Sequence, residues 1–160
     1  MNTNLNKQHQ VNKILMVCWG NICRSPIAEA VLRSKAKQHN ISLDVDSAGT
    51  IDMHRGNRPD FRAIQAGEKR GYSFKGITAR IINVEDFEKY DLILAADNKN
   101  IEDLKAICPA AFQYKIKLLL SFSNTTTEQV PDPYYGGDDG FELVLDLIEQ
   151  ASDRLLEQLK

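Results

Sequence analysis

Short apolar runs alternate with segments of helical spacing along most of the chain. Four runs have the length and composition of buried strands: residues 13–18, 41–48, 90–96 and 115–120. Five segments are predicted as helices from apolar spacing and end signals: residues 27–38, 59–70, 84–89, 99–107 and 141–159. Strands that alternate with helices predict an α/β fold in which helices cover both faces of a parallel sheet.

Two polar segments fall outside this alternation. Residues 1–10 are rich in Asn and Gln and are predicted to form a flexible N-terminal arm, which leaves residues 11–160 as a single domain. Residues 124–140 contain two prolines and three glycines and are predicted to form a loop. In parallel α/β folds the ligand binds beyond the carboxyl ends of the strands, so we expect the functional site just after residue 18.

Composition and charge argue against several classes of function. The chain of 160 residues has a formal net charge of −2 with mixed signs, so no nucleic-acid partner is expected. No apolar run is long enough for a signal peptide or a membrane span, so no membrane association is expected. The three cysteines form a poor disulfide framework and lack metal-ligand spacing, which predicts a cytoplasmic protein without a metal or other cofactor.

The segment that joins the first strand to the first helix has the strongest chemical signal. Five residues separate the Cys18 thiol from the Arg24 guanidinium, with Gly20 and Asn21 marking a turn and Pro26 starting the helix. Backbone N–H groups and the dipole of a helix N-terminus suit a phosphate dianion and stabilise a thiolate. The structural alternative is a buried cysteine near a surface arginine. A nucleotide-binding P-loop is excluded because the Gly-Lys-Ser/Thr ending is missing.

A phosphatase that uses a cysteine nucleophile also needs an acid for the leaving oxygen, and Asp132 is the best candidate. Pro131 and Pro133 flank it and restrict the backbone, so we expect its carboxylate to be held in place. The alternative is an Asp-Pro turn without a catalytic role, and this segment alone favours that alternative.

The two motifs together resemble the low-molecular-weight protein tyrosine phosphatases. The N-terminal signature of that family stands at residues 18–26, and its late Asp-Pro-Tyr-Tyr motif stands at residues 132–135. The resemblance covers essentially the whole chain after residue 10. It implies a three-layer, flavodoxin-like (phosphotyrosine phosphatase I-like) fold with a four-stranded parallel sheet. It also implies hydrolysis of phosphotyrosine and small aryl phosphates through a phosphocysteine intermediate.

The resemblance assigns roles to matching residues. Cys18 would be the nucleophile, Arg24 would bind the phosphate oxygens, and Ser25 would donate a hydrogen bond to the Cys18 thiolate. Asp132 would protonate the leaving phenol oxygen and then deprotonate the hydrolytic water. The phosphate-binding loop would also contain the residues between nucleophile and arginine: Trp19, Gly20, Asn21, Ile22 and Cys23.

Other residues would support the loop or shape the substrate cleft. The resemblance implies that Asn21 holds the loop in its unusual conformation, with Ser47 as its brace. Aromatic walls and a loop rim are expected around a phenyl ring, from the following side chains: Trp19, Tyr134, Tyr135, Met53 and His54. Ordinary packing is the alternative for each of these cleft residues.

Three positions carry finer expectations from the resemblance. In this family the second loop cysteine, here Cys23, can form a disulfide with Cys18 and so protect it from over-oxidation, although simple packing of Cys23 is equally compatible. Related arginine phosphatases carry Thr at the position of Ile22, so Ile22 favours phosphotyrosine. Many relatives have a histidine near Ile77 as a partner of the acid at Asp97, so the role of Asp97 stays open.

The expected partners are a phosphotyrosine-containing protein, of which a bacterial tyrosine autokinase is one example, and inorganic phosphate as product and inhibitor. One alternative is an arsenate reductase on the same fold, which would need two further cysteines where this chain has only Cys108, taken as structural. The other is a non-catalytic module that binds phosphopeptides. Such a module would lack the nucleophile or the acid, whereas this chain has Cys18 and Asp132.

Overall fold

A single four-stranded sheet organises the described part of the chain. The computed structural model describes residues 10–134, 136 and 138–160. The strands are β1, Lys13–Cys18; β2, Asp44–Gly49; β3, Leu92–Ala95; and β4, Ile116–Leu118. They are ordered β2-β1-β3-β4, and each neighbouring pair is parallel. The predicted four-stranded parallel α/β sheet is therefore confirmed.

Helices that connect the strands or follow the last of them cover both faces of this sheet. They are α1, Arg24–Gln38; α2, Phe61–Lys69; α3, Val84–Lys89; α4, Asn98–Ile107; and α5, Asp138–Leu159. Short 3₁₀ segments at Ala110–Lys115 and Leu119–Phe122 flank β4. No helix that the structure describes is long and apolar enough to cross a membrane.

The side chains of β1 alternate between two hydrophobic cores, as the period of a strand requires. Ile14 and Met16 join the core that the sheet forms with α1, α2 and α5. Leu15 and Val17 join the second core, which α3 and α4 close from the other face. This central strand is buried on both sides, which explains why its sequence is a continuous apolar run rather than an alternating one.

Several predicted boundaries differ from the structure; α5, for example, begins at Asp138, within the segment predicted as a loop at residues 124–140. α1 begins at Arg24 rather than at residue 27, so the arginine of the signature already belongs to the first helical turn. β2 begins at Asp44 rather than at residue 41, because Ile41 first closes the end of α1 by donating its N–H to the Ala36 carbonyl. β4 has three residues, since the chain turns into a 3₁₀ segment at Leu119.

The sheet brings the ends of three strands together at one edge. β1 ends at Cys18, and the N–H of Thr50, just past β2, donates to the Cys18 carbonyl at 3.0 Å. Ala96, just past β3, donates its N–H to the Val17 carbonyl at 3.0 Å and accepts from the Val130 N–H at 2.8 Å. Segments far apart in sequence therefore meet beyond the carboxyl end of β1, as expected for this class of fold.

Candidate active site

Residues 18–25 run from the last residue of β1 into the first turn of α1, and we call this segment the phosphate loop. The loop turns at Asn21. This residue has a φ of 58°, a conformation in which asparagine is one of the few favourable residues other than glycine. Its Nδ2 donates to Ser25 Oγ at 2.7 Å and to Ser47 Oγ at 3.0 Å, and its Oδ1 accepts from the Arg80 N–H at 3.0 Å. Asn21 therefore contacts Ser47, the residue that the family resemblance implies as its brace.

A hydrogen bond connects this brace to the Cys18 thiol. Cys18 Sγ lies 2.9 Å from Ser25 Oγ, and both residues are buried. Since the Ser25 oxygen already accepts from Asn21, the hydroxyl hydrogen of Ser25 remains for the sulfur. The geometry matches a hydrogen bond donated by Ser25 to a Cys18 thiolate, while the roles of both residues remain predictions.

The N-terminus of α1 differs from those of α2, α3 and α4. Asp60, Asn83 and Asp97 each accept a backbone N–H at the start of those three helices. In contrast, Cys23 precedes α1 and makes no capping hydrogen bond through its side chain. The side chain of Cys23 therefore accepts no hydrogen bond from the first N–H groups of α1. These groups are left to bind an anion in the phosphate loop.

Arg24 lies near the end of this loop, and partners from two other segments hold its guanidinium in place. Its Nη1 donates to Asp97 Oδ2 at 2.7 Å and to the Val130 carbonyl at 2.9 Å. The other Asp97 oxygen accepts the Asn100 N–H at the start of α4, so Asp97 orients the guanidinium from a rigid position. Ile77 is buried in the first core, and Asp97 contacts Arg24 without a histidine there.

The charge on Arg24 is stabilised although the side chain is only 4% exposed. Burial opposes the charged form, but the negative charges of Cys18, Asp97 and Asp132 outweigh it and raise the pKa of Arg24. A permanently charged guanidinium at this place can bind phosphate oxygens at any physiological pH.

Asp132 lines the same cleft as Arg24 and is far less enclosed. Its side chain is 44% exposed, and its Oδ2 lies 3.8 Å from Arg24 Nη2. Its Oδ1 accepts the Tyr134 N–H at 3.0 Å, a local turn that orients the carboxylate. The structure therefore brings the predicted acid and the predicted phosphate-binding arginine to one site.

One cleft collects most of the residues predicted from sequence. Cys18 and Arg24 lie at its base together with Gly20, Ile22 and Cys23, and Asp132 lies at its mouth. Its walls come from Trp19, Met53, His54 and Tyr134. Trp19 is 42% exposed, so a ring entering the cleft can stack on it. The predicted contribution of Tyr135 lies outside the described residues.

Cys23 shares the cleft with Cys18, but its environment is different. Burial first, and then the negative charges of Asp60, Cys18 and Asp132, raise the pKa of the Cys23 thiol, against a smaller opposing effect of Arg62. Cys23 is therefore held as a neutral thiol, and both cysteines are free. Its redox role remains a prediction.

The sequence did not single out Glu29, which extends the brace beneath the loop. The buried Glu29 carboxylate accepts a hydrogen bond from Ser47 Oγ at 2.6 Å and pairs with Arg33. Burial raises the pKa of Glu29 despite these two partners. The available signal was a glutamate between Ala28 and Ala30 on a helix that is otherwise apolar there.

Comparison with known protein families shows what the chain as a whole is similar to. Residues 13–160 match the family model described as low molecular weight phosphotyrosine protein phosphatase. The human low molecular weight phosphotyrosine protein phosphatase is 39% identical over 155 residues, which cover 94% of this chain and 98% of the human protein.

Solved structures give the same result. A protein tyrosine phosphatase from Entamoeba histolytica superposes with a TM-score of 0.89 at 41% identity, covering 92% of this chain and 96% of that one. The tyrosine phosphatase Wzb from Escherichia coli K30, solved in complex with sulphate, superposes with a TM-score of 0.82 at 33% identity, covering 94% and 99% of the two chains.

Proposed function

Because the chain belongs to the low molecular weight phosphotyrosine protein phosphatase family, we propose that it hydrolyses phosphotyrosine in proteins through a phosphocysteine on Cys18. Small aryl phosphates are proposed as further substrates. The observation that carries this proposal is the meeting of thiol, guanidinium and carboxylate in one cleft, with Cys18 and Arg24 at its base and Asp132 at its mouth.

In the first step the Cys18 thiolate attacks phosphorus in line with the ester oxygen. A sulfur–phosphorus bond forms as the bond to the phenolic oxygen breaks, and the departing oxygen takes the proton of Asp132. Arg24 and the amides at the start of α1 stabilise the charge on the transferring phosphoryl oxygens. Ser25 stabilises the sulfur anion before the attack and again when sulfur departs.

In the second step the Asp132 carboxylate takes a proton from water, and that water attacks the phosphocysteine. The sulfur–phosphorus bond breaks, the Cys18 thiolate is regenerated with its hydrogen bond to Ser25, and inorganic phosphate leaves. Phosphate, the product, fits the same loop and is therefore proposed as an inhibitor.

The proposed preference for an aromatic ester rests on the cleft walls. Trp19, within the phosphate loop, and Tyr134 line the cleft and offer faces for a phenol ring, while Ile22 adds an apolar contact. A protein tyrosine phosphate, such as that of a bacterial tyrosine autokinase, is the proposed natural substrate class. The reaction needs Cys18 as a free thiol, which supports a reducing compartment, the cytoplasm, as its place.

The two alternatives have less support. An arsenate reductase would need further cysteines near the nucleophile, but Cys108 packs in the second core, on the face of the sheet away from the core that contains Cys18. A non-catalytic binding module would not need an acid, whereas Asp132 lies at the mouth of the cleft.

The replacement Cys18→Ser tests the proposal. We expect the rate on para-nitrophenyl phosphate to fall by about 10³-fold or more, as for loss of other covalent nucleophiles. Orthophosphate should still bind, because Arg24 and the loop amides remain. The fluorescence of Trp19, the single tryptophan of the chain, reports that binding.

Cys108→Ser, at a buried cysteine outside the cleft, is the matched control and should keep wild-type turnover. A Cys18→Ser protein that turns over at a rate close to wild type would overturn the proposed function. A wild-type protein that binds orthophosphate but shows no turnover would support the binding module instead.

A further inference from the structure

Arg62, near the start of α2, reaches the segment that carries Asp132. We call this segment, residues 130–134, the acid loop. Arg62 Nη2 donates to the Tyr134 carbonyl at 2.9 Å, and Nη1 lies 3.4 Å from the Gly136 carbonyl. Both carbonyls follow Asp132 closely in sequence. Arg62 thus binds backbone within a few residues of the candidate acid.

Asp60 holds Arg62 in position. The two Asp60 oxygens accept from Arg62 Nε at 3.1 Å and from Nη2 at 3.0 Å, and Oδ1 also accepts the Arg62 N–H at 2.9 Å. The hydrogen bonds from Arg62 lower the pKa of Asp60, so the pair remains ionised. This paired geometry uses the planar fork of the guanidinium, which lysine does not have.

Asp60 also contacts the phosphate loop. Its backbone N–H donates to the Ile22 carbonyl at 2.7 Å. A continuous series of bonds therefore runs from Ile22 through Asp60 and Arg62 to the Tyr134 carbonyl. The series joins the loop that holds phosphate to the loop that supplies the proton.

Two aromatic rings fix the remaining freedom of the guanidinium. Its central carbon lies 5.0 Å from the centre of the Phe141 ring and 5.6 Å from that of the Tyr134 ring. Such cation–π contacts favour a guanidinium held over the face of a ring. Arg62 therefore touches Tyr134 through both its carbonyl and its ring.

Tyr134 in turn orients Asp132, whose Oδ1 accepts the Tyr134 N–H at 3.0 Å. The Asp132 side chain is too exposed for packing to fix its direction, so hydrogen bonds to backbone must do so. We propose that Arg62 is a positioning residue that aims the Asp132 carboxylate at the leaving oxygen by holding Tyr134. This inference rests on the proposed function, in which Asp132 gives the proton.

The test compares two substrates that differ in how much their leaving groups need a proton. With Arg62→Ala, kcat/KM on phenyl phosphate, which reports phosphoryl transfer and not the later hydrolysis, should fall by about 10- to 100-fold, as for a misplaced catalytic group. The kcat/KM on para-nitrophenyl phosphate, whose leaving group departs more easily, should fall much less. Orthophosphate inhibition should remain unchanged, because Arg24 and the phosphate loop are untouched.

The double variant Arg62→Ala/Asp132→Asn separates positioning from a general structural effect. If Arg62 acts through Asp132, its removal should cost nothing further once the acid is gone. Arg62→Lys retains the charge but not the planar fork of the guanidinium. It should show the same pattern, a larger loss on phenyl phosphate than on para-nitrophenyl phosphate, to a smaller extent. This variant replaces Arg62→Ala if the alanine variant does not fold. Arg154→Ala, at an ion pair near the end of α5, is the control and should change neither rate.

Equal losses on both substrates, or losses that add to those of Asp132→Asn, would overturn the inference and leave the proposed function standing. If Asp132→Asn by itself lowers kcat/KM equally on both substrates, the assignment of the acid fails, and the inference about Arg62 fails with it.

Discussion

The phosphate loop and the acid loop meet in one cleft, but they are held in different ways. The phosphate loop is largely buried except for Trp19, and Cys18, Ser25 and Asn21 lie in a hydrogen-bonded series that continues into the sheet. In the acid loop, Val130 at the start is buried and bonded to Arg24, whereas Asp132 is 44% exposed. The binding half of the site is part of the core, and the proton-transfer half lies on its surface.

This difference follows from what each half must do. A loop that binds a dianion and stabilises a thiolate benefits from fixed dipoles in a dry environment. An acid that serves esters with different leaving oxygens, and then water, needs access to solvent between the two steps. We therefore expect substitutions in the acid loop to change the chemistry selectively, while substitutions beneath the phosphate loop change its protection and stability.

Asp132→Asn should give the largest of these effects. The asparagine cannot donate the proton, so the rate on phenyl phosphate should fall by about 10²–10⁴-fold, the usual contribution of general acid catalysis. Values of kcat/KM plotted against the pKa of the leaving phenol, for variant and wild type, measure this effect on phosphoryl transfer.

The same plot provides the control for Asp132. The loss caused by Asp132→Asn should be smaller for acidic phenols, which leave without a proton from Asp132. The plot against the pKa of the leaving phenol should therefore be steeper for the variant than for wild type. Losses of equal size on every phenol would mean that Asp132 maintains the shape of the loop without giving a proton.

Cys23→Ser should weaken the protection of Cys18 against irreversible oxidation more than it lowers the turnover of the enzyme. Peroxide would oxidise the Cys18 thiolate to a sulfenic acid, and the Cys23 thiol would then displace water to form a disulfide that added thiol reduces. Without Cys23 the sulfenic acid stays open to further, irreversible oxidation. The activity recovered by dithiothreitol after peroxide treatment should therefore be much lower in Cys23→Ser than in wild type.

Cys108→Ser is the matched control and should recover as wild type does. If Cys23→Ser also recovers fully, the second loop cysteine only packs beneath the loop. A peptide map of the oxidised wild-type protein should show Cys18 joined to Cys23.

Glu29→Gln should give the smallest effect, and one that depends on pH. The folded-state pKa of Glu29 is raised, so its contribution to stability is fully present below the unfolded-state pKa and declines as pH rises through the folded-state value. Wild type should therefore lose stability relative to Glu29→Gln between acidic and neutral pH. The change should lie within the range of about 0.5–3 kcal/mol common for single substitutions.

Urea unfolding of both proteins at several pH values measures this difference. Glu128→Gln, at an exposed position, controls for the loss of one negative charge. A stability difference between wild type and Glu29→Gln that is constant with pH would show that burial does not perturb Glu29.

Local sequence was sufficient to predict the residues at the base of the cleft. Cys18 and Arg24 belong to one contiguous segment, and the strand before it and the proline after it fix where the loop lies. The sheet was predictable for a similar reason, because β1 and β3 are buried on both faces and their sequences are apolar except for Lys13 at the start of β1. Asp132 could be paired with this segment only through the family resemblance.

The supporting residues could not be found in this way. Glu29 meets Ser47, and Arg62 meets Tyr134 across 72 positions, so neither contact leaves a pattern in a short window of sequence. A polar residue on a buried helix face is the one local signal, and it applies to Glu29 alone. The bounds of β2 and β4 were also inaccurate, since apolar residues such as Ile41 and Leu119 pack into the core outside the strands.

The central claim is that Cys18 accepts the phosphoryl group, and trapping the intermediate tests it most directly. In Asp132→Asn, para-nitrophenyl phosphate should still transfer its phosphoryl group, while the hydrolytic water lacks its base, so the intermediate should accumulate. Rapid quenching at neutral pH in denaturant, followed by peptide mass spectrometry, locates the group. The account predicts one phosphoryl group on the peptide that contains Cys18, and none in Cys18→Ser/Asp132→Asn. A phosphoryl group on another residue, or turnover without any phosphorylated peptide, would contradict it.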